Sequence, residues 1–400
     1  MPNALAEDAL TIDAPSQVRL PLANHNGGIK FQAKNIQVEA GWEVLSDDVA
    51  LTINNGVLTF PSTLSTQQAV ATIIVEDRFN KLNSNYTNLA ATAVITIQFI
   101  AYDPKIFIAG GRVSSTDNSN DGVWSSTDGK NWQQCNAGFF TSRSSHAMAV
   151  KGRLYVFGGR TDTSARFNDV WSTVDCTTWQ PETDSADWTA RRDHAVAVRQ
   201  NTFFLSGGNS GNDLNGVWST TNGKNWVELK SSFYQASGNP IIDWGPRNSH
   251  RMVSYKGTLY ITGGYYNLAA IQDVWSSVGG TNWSLEDSPP WAGRYNHGFV
   301  KHNNLLYLMG GQGTSKLNDV WSSADGKNWT SKGSMGGGSR SSFGTVSYKG
   351  RLYIMGGVDS SNNAKNDVWS SADGQTWSLE TSNAGWSARR DHSAAVFPPE

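Results

Sequence analysis

The sequence predicts an all-β protein in which a β-sandwich is followed by a six-bladed β-propeller, closed by its own C-terminal strand. Repetition and composition predict it. A phrase such as LYLMGGQGTSKLNDVWSSADGKNW (residues 306–329) is written six times between residues 105 and 400, its glycine pairs recurring at intervals of about 50 residues, the length of one propeller blade. The 400 residues include 40 Gly and 17 Trp, and only 16% are charged, a turn-rich composition that favours strands over long helices.

The same composition excludes several classes of function. A formal charge of -2 supplies no basic field, so no nucleic-acid partner is expected. No apolar run approaches the roughly 20 residues that span a bilayer, so direct membrane insertion is not expected either. The first 30 residues lack the basic and apolar regions of a secretion signal. Cys135 and Cys176 fall in different repeats, and the sequence leaves their pairing open.

Residues 1–104 carry one Trp, Trp42, and no repeat. Strand signals over 18–21, 30–32, 37–40, 49–52, 56–59, 69–75 and 91–99 are separated by Asn-Asn-Gly, Pro-Ser and Asn-Ser-Asn turns, a pattern that fits a single β-sandwich. Residues 105–400 form the propeller domain. Each blade reads as a strand ending in a glycine pair, a polar loop, a strand with Val-Trp, a tight turn and a closing Trp. Twelve of the 17 tryptophans occupy these two repeat positions, which assigns them to packing between blades. A further strand precedes every glycine pair except the first, where Pro104 and Lys105 lead straight into IFIAGG. The missing copy, residues 389–397, follows the sixth repeat, so the C-terminus is expected to supply the innermost strand of blade 1 and leave no open sheet edge.

The pattern Arg-x-x-His, strand, Leu-Tyr-x-x-Gly-Gly, loop, Asn-Asp-Val-Trp and closing Trp resembles the kelch repeat of the galactose-oxidase-like propellers, over about three quarters of the chain. The resemblance implies a scaffold that hosts binding partners, ligands and a few enzymes alike. The N-terminal region resembles, more distantly, the immunoglobulin-like and cadherin-like modules of bacterial surface proteins.

The candidate site precedes the innermost strands, where an aromatic residue, an Arg and a His recur at intervals of three at five of the six boundaries, the other keeping only Arg340, with Gly337 and Phe343 in the other places. Arg143, Arg191, Arg247, Arg294, Arg340 and Arg389, with Trp188, Trp244, Trp291 and Trp386, are expected to ring the channel mouth, the guanidiniums gripping an anion and the indoles stacking on a sugar. The competing reading makes them ties between blades, with Asp169, Asp273, Asp319 and Asp367 as partners. Gly122 and Gly216 replace that Asp in blades 1 and 3, and the sequence favours Arg143 and Arg247 as the guanidiniums left for ligand. The long insertions at 115–122 and 228–246 are further candidate recognition loops, and the first has weak calcium-loop character.

Catalytic readings have less support. Glu182, Glu228, Glu286 and Glu380 fall on outermost strands, away from the axis where a sialidase-like acid would be needed. Five of seven His occupy one repeat position, unlike a galactose-oxidase-like copper centre. No catalytic residue, metal or cofactor is therefore assigned. The expected function is recognition or adhesion at the cell surface or outside the cell, of a glycan or protein ligand, by a monomer or a part of a larger surface protein. The alternatives are an enzyme of galactose-oxidase-like or glycosidase-like type and an intracellular kelch scaffold for protein partners.

Overall fold

A computed structural model describes residues 104–113, 122–135, 141–232, 244–286 and 288–397, together with eight strands among the first 103 residues. The chain divides into two compact units, Met1–Asp103 and Pro104–Glu400. In the first, Thr11–Ile12, Gln17–Arg19, Val57–Thr59 and Thr52–Asn54 make one sheet in that order. Lys30–Ala33, Ala69–Glu76 and Gln37–Val38 make another, in which Ala93–Phe99 also pairs with Ala69–Glu76. Beyond these strands the expected β-sandwich lies outside the described residues.

The second unit is a propeller of six antiparallel blades, five of four strands and the sixth with a short extra strand, Arg340–Ser341, with no helix among the described residues. Blade 2 shows the plan, running outward from the axis through Ala147–Val150, Leu154–Arg160, Arg166–Thr173 and Gln180–Thr183. In blade 1 the innermost strand is Ser393–Phe397, which pairs with Lys105–Ala109 from Ser393 opposite Ala109 to Phe397 opposite Lys105. The ring is thus closed by the last strand of the chain, as its displaced repeat predicts, and Lys105–Ala109 has no bare edge.

The blades hold together through six apolar clusters, one at each interface. Between blades 2 and 3, for example, Phe157, Val170, Trp188, Phe203, Leu205 and Trp226 form one buried group. Every second strand is apolar on both faces because each face meets a neighbouring blade; in blade 2 Leu154, Val156 and Phe157 are fully buried. The glycine pairs end these strands for a steric reason. Gly158 and Gly159 have φ of 52° and 103°, and a Cβ on Gly159 would lie 2.8 Å from His146 Cβ and 2.9 Å from Ser144 O.

Polar ties supplement this packing at the rim. Tyr348 donates from its hydroxyl to Pro104 O at 2.7 Å and Thr127 O at 2.8 Å, joining blade 6 to blade 1. Three of the outer-strand glutamates pair with lysines of the next blade: Glu380 with Lys130, Glu182 with Lys224 and Glu286 with Lys327. Cys135 and Cys176 form a disulfide, Cα to Cα 5.7 Å, that joins the end of blade 1 to the outer turn of blade 2. Cys176, at φ 58°, takes the turn position that Gly129, Gly223, Gly280, Gly326 and Gly374 fill in other blades.

Candidate interaction face

The six repeated arginines do not line the channel mouth. Arg143, Arg191, Arg247, Arg294, Arg340 and Arg389 are 0–3% exposed, and Trp188, Trp244, Trp291 and Trp386 are at most 1% exposed. Each indole packs edge-on against its blade's closing Trp, as Trp188 does on Trp226 with centroids 5.9 Å apart, and its Arg lies over its face, Arg191 over Trp188 at 5.7 Å. The expectation of an exposed cationic and aromatic ring is corrected on this geometry: the ten side chains sit inside the blades. The reason is local. Each Arg must reach the carbonyl of the first glycine of the pair, as Arg143 reaches Gly158 O at 3.0 Å, and that carbonyl is buried.

Four of the guanidiniums also grip the repeated Asp by both prongs. Arg143 binds Asp169 at 2.7 and 2.8 Å, Arg294 binds Asp319 at 2.7 and 2.8 Å, and Arg247 and Arg340 bind Asp273 and Asp367 in the same way. The carboxylate then accepts the indole N–H of the following Trp, as Asp319 accepts from Trp321 at 2.7 Å. The sequence expectation that Arg143 and Arg247 are left over is therefore wrong, because each Arg pairs within the blade that it leads into. Arg191 and Arg389, leading into blades 3 and 1, are the two without an Asp partner among the described residues.

The residues next in sequence form the channel rim. Two positions after each Arg stand Ser145, Asp193, Ser249, Asn296, Ser342 and Asp391, all with φ between 51° and 58°. That left-handed turn aims each N–H at the carbonyl of the neighbouring blade's equivalent residue. Asp193 N donates to Ser145 O, Ser249 N to Asp193 O, Asn296 N to Ser249 O, Ser342 N to Asn296 O, Asp391 N to Ser342 O and Ser145 N to Asp391 O, at 2.8–3.1 Å. Six hydrogen bonds thus make a closed backbone ring around the axis. A cavity of ≈ 170 Å³ lies along this axis, lined by Met148, Met252, Phe299 and Phe343 with Arg251 among them. Burial is the main reason that Asp391 holds its proton above the usual carboxylate range, with Asp193 adding to it.

Around this ring the rim is divided. Residues one after each Arg bridge to residues just after the glycine pairs: Arg390 to Arg112, Ser144 to Arg160, Arg192 to Asn209, Asn248 to Tyr265 and Tyr295 to Gln312. Blades 1 to 3 therefore bring four arginines, Arg112, Arg160, Arg192 and Arg390, to one side. Arg192 pairs with Asp193, and Arg390 approaches Asp391 at 3.8 Å. Arg160 is held below its ordinary pKa by burial and then by the charges of Arg192 and Arg112. Blades 4 and 5 present aromatic surface instead. Tyr265 packs on Tyr295 with ring centroids 4.8 Å apart, and the short hairpin of Tyr265–Tyr266 and Ala269–Ala270 carries Leu268 at its tip, 88% exposed. Asn267 and Leu268 both have positive φ, 48° and 62°, a conformation that costs a leucine energy.

Sequence reasoning passed over this rim because it is written in the residues between the repeated Arg and His and in those just after the glycine pairs, which vary from blade to blade. The recurrence of Arg at those positions in blades 1 to 3, as Arg112, Arg160, Arg192 and Arg390, was the available signal. Of the predicted recognition loops, residues 115–121 and 233–243 lie outside the described residues. Among the described residues no group of three or more His, Cys, Asp or Glu is placed to share a metal ion.

The family described as the KLHDC2/KLHL20/DRC7 Kelch-repeats domain matches residues 96–277 and, in an overlapping register, residues 180–357. The chain belongs to this kelch-repeat family. An array of similar repeats can match one repeat model in more than one register. The kelch chain is also similar to Ras guanine nucleotide exchange factor F of Dictyostelium discoideum, 32% identical over 100 residues. That stretch covers 23% of this chain and 9% of the Dictyostelium protein, so the chain spans under a tenth of that relative.

Proposed function

We propose that the kelch propeller is a protein-interaction module, and that its partner docks on the divided rim of the channel. The observation that carries this reading is the juxtaposition on one rim of four arginines from blades 1 to 3 with the Tyr265, Tyr266 and Leu268 hairpin of blade 4. An exposed leucine held in a strained turn has no packing purpose within the blade, and aromatic and Arg side chains are the types that dominate binding at protein interfaces. The partner chemistry that fits is a segment with an acidic group and an adjacent apolar residue. Membership of the kelch family supports a protein-binding scaffold over glycan adhesion, in favour of the scaffold alternative.

A second reading, that the module works outside the reducing cytosol, is favoured by the Cys135–Cys176 disulfide. Under it the cell-surface setting stands, with a protein as the ligand. Thiol alkylation followed by mass spectrometry on the protein from its native source distinguishes the compartments: a disulfide retained there supports the oxidising one, and two alkylated thiols refute it.

The docking surface is tested by crosslinking from the native source with a photoreactive residue in place of Leu268, compared with the same residue at Val227 on the outer rim. Crosslinks to one protein from position 268, absent from position 227 and lost in the variant Arg160→Glu/Arg192→Glu, are expected. Equal capture at both positions, or capture that ignores the two arginines, places the partner elsewhere.

A further inference from the structure

Among the described residues the Arg–Asp fork is filled in four blades and open in two. In blades 2, 4, 5 and 6 a carboxylate is gripped by Nη1 and Nη2 of the Arg and by the indole N–H of the Trp two residues after the Asp. In blade 3, Arg191 keeps the rest of that geometry: its Nε donates to Thr189 O at 2.9 Å and its Nη1 to Gly207 O at 2.9 Å. In blade 1, Arg389 does the same, to Ser387 O at 3.1 Å and Gly110 O at 2.9 Å. Each also lies over its Trp face, Arg191 at 5.7 Å and Arg389 at 5.8 Å. The Trp partners keep their register: Trp218 stands opposite Leu205 and Trp124 opposite Ile108, as Trp171 stands opposite Val156. What differs is the residue two before that Trp, Gly216 in blade 3 and Gly122 in blade 1.

From this arrangement we infer that Arg191 with Trp218, and Arg389 with Trp124, form two carboxylate sockets that each take one carboxylate group from outside the blade. The four filled blades are the template for the ligand. They show the donor set, two guanidinium N–H groups and an indole N–H, holding a planar two-oxygen anion at 2.6–3.0 Å. Among the described residues no carboxylate forms an ion pair with Arg191 or Arg389, although they are 2% and 1% exposed. A guanidinium so far out of water is costly without a counter-charge, and burial pulls both down to about 10. Glu228 acts on Arg191 from a distance without pairing with it. The filled sites also show that the socket is reachable, since the gripped aspartates keep 14–32% of their side-chain surface exposed. In blade 3 the hydroxyl of Ser232 borders the socket, accepting from Gly216 N at 2.8 Å. The ligand class is taken from the four filled forks, each of which holds one carboxylate.

The test uses the full chain and two probes, sodium acetate and an end-blocked Gly-Asp-Gly peptide, each titrated against chloride at constant ionic strength while thermal unfolding is followed. A saturable rise of Tm with acetate alone assigns the sockets to small carboxylates, and a rise with the peptide alone assigns them to a protein side chain. A response to neither overturns the inference. The variant Gly122→Asp/Gly216→Asp restores the internal carboxylate; its Cβ at 216 meets only the Ser232 hydroxyl, at 2.7 Å, and backbone at 3.3 Å. It is expected to melt higher than the parent in chloride and to lose the acetate or peptide response. A folded double variant that still responds as the parent does overturns the assignment to these residues. Crystals soaked in bromoacetate give a readout that needs no variant: anomalous bromine signal beside Arg191 and Arg389, and not beside Arg143 or Arg294, is expected, and its absence from both overturns the proposal.

Discussion

Arg247 and Asp273 are joined by a two-pronged ion pair, Nη1 to Oδ1 at 2.6 Å and Nη2 to Oδ2 at 2.8 Å, while Nη1 also donates to Gly263 O. One side chain thus fixes the end of the second strand of blade 4 and the start of its third. Removing the guanidinium leaves a mostly buried carboxylate and a buried glycine carbonyl without their donor. Arg247→Ala is expected to destabilise the propeller by about 3–5 kcal/mol, the cost of breaking a buried pair from one side. Urea unfolding of the variant measures it, and a loss below about 1 kcal/mol assigns the pair no structural weight.

Closure rests on the contact between Phe397 and Phe107, whose ring centroids are 6.5 Å apart, and on the five residue pairs between Ser393–Phe397 and Lys105–Ala109. Deleting residues 389–400 removes this strand together with Arg389 and His392, and bares a hydrophobic strand edge. The truncated chain is expected to aggregate or to melt well below the parent. An unchanged melting temperature contradicts closure by the C-terminal strand.

Blade number, strand order and closure were legible because each is stated six times in the sequence, so that one displaced copy identified the closing strand. The residues of the fork were legible too, and their role was not. A repeated Arg and a repeated Asp reveal that they belong together, but whether an Arg pairs within its own blade or across to the next depends on strand register and on the glycine turn. That is why the sequence favours Arg143 and Arg247 as the free pair, where the register of the strands leaves Arg191 and Arg389. The rim was hidden for the opposite reason. Arg160, Arg192 and Tyr265 occupy equivalent positions in different blades with different chemistry, and a pattern search discards what does not repeat. Cys135 and Cys176 were likewise undecided until the outer turn of blade 2 was placed beside the end of blade 1.

The disulfide closes a loop of 41 residues across the first blade interface. Chain-entropy arguments give about 4 kcal/mol for a loop of that length. Since it joins two blades that already share the buried cluster of Phe107, Leu154 and Trp179, its loss weakens one interface of the ring without baring a sheet edge. Cys135→Ser/Cys176→Ser is expected to fold and to melt on the order of 10 °C lower. Reduction of the parent with a phosphine is expected to reproduce that shift. A parent whose melting temperature does not respond to reduction has no stabilising bridge there.

The buried histidines set the response to acid. Burial is the main cause that holds His194 and His392 down at about 3, reinforced by Arg191 and Arg389 respectively. His146, His250 and His297 are also kept well below the ordinary value of 6.5, by burial and then by nearby arginines. All five are neutral in the fold, while in the unfolded chain each takes up a proton as the pH falls through about 6.5. The unfolded state therefore binds more protons between that point and the folded values, and stability, full above pH 6.5, is lost as the pH falls towards 3. Each histidine contributes a slope of up to about 1.4 kcal/mol per pH unit. Three part-buried or buried aspartates modify the profile. Asp319 and Asp367 are burdened by burial, yet the forks of Arg294 and Arg340 hold them below 3.8, so their contribution is lost only at still lower pH. Asp391, raised by burial, acts in the opposite sense and favours the fold in acid. Five groups against one decide the direction. The melting temperature is expected to be level above about pH 7 and to fall steeply from pH 6.5 to 4.5, and His194→Gln, which keeps a neutral side chain of similar reach, is expected to flatten that slope. A profile that stays level down to pH 5, or one that His194→Gln leaves as steep as before, shows that these side chains take up protons inside the folded ring.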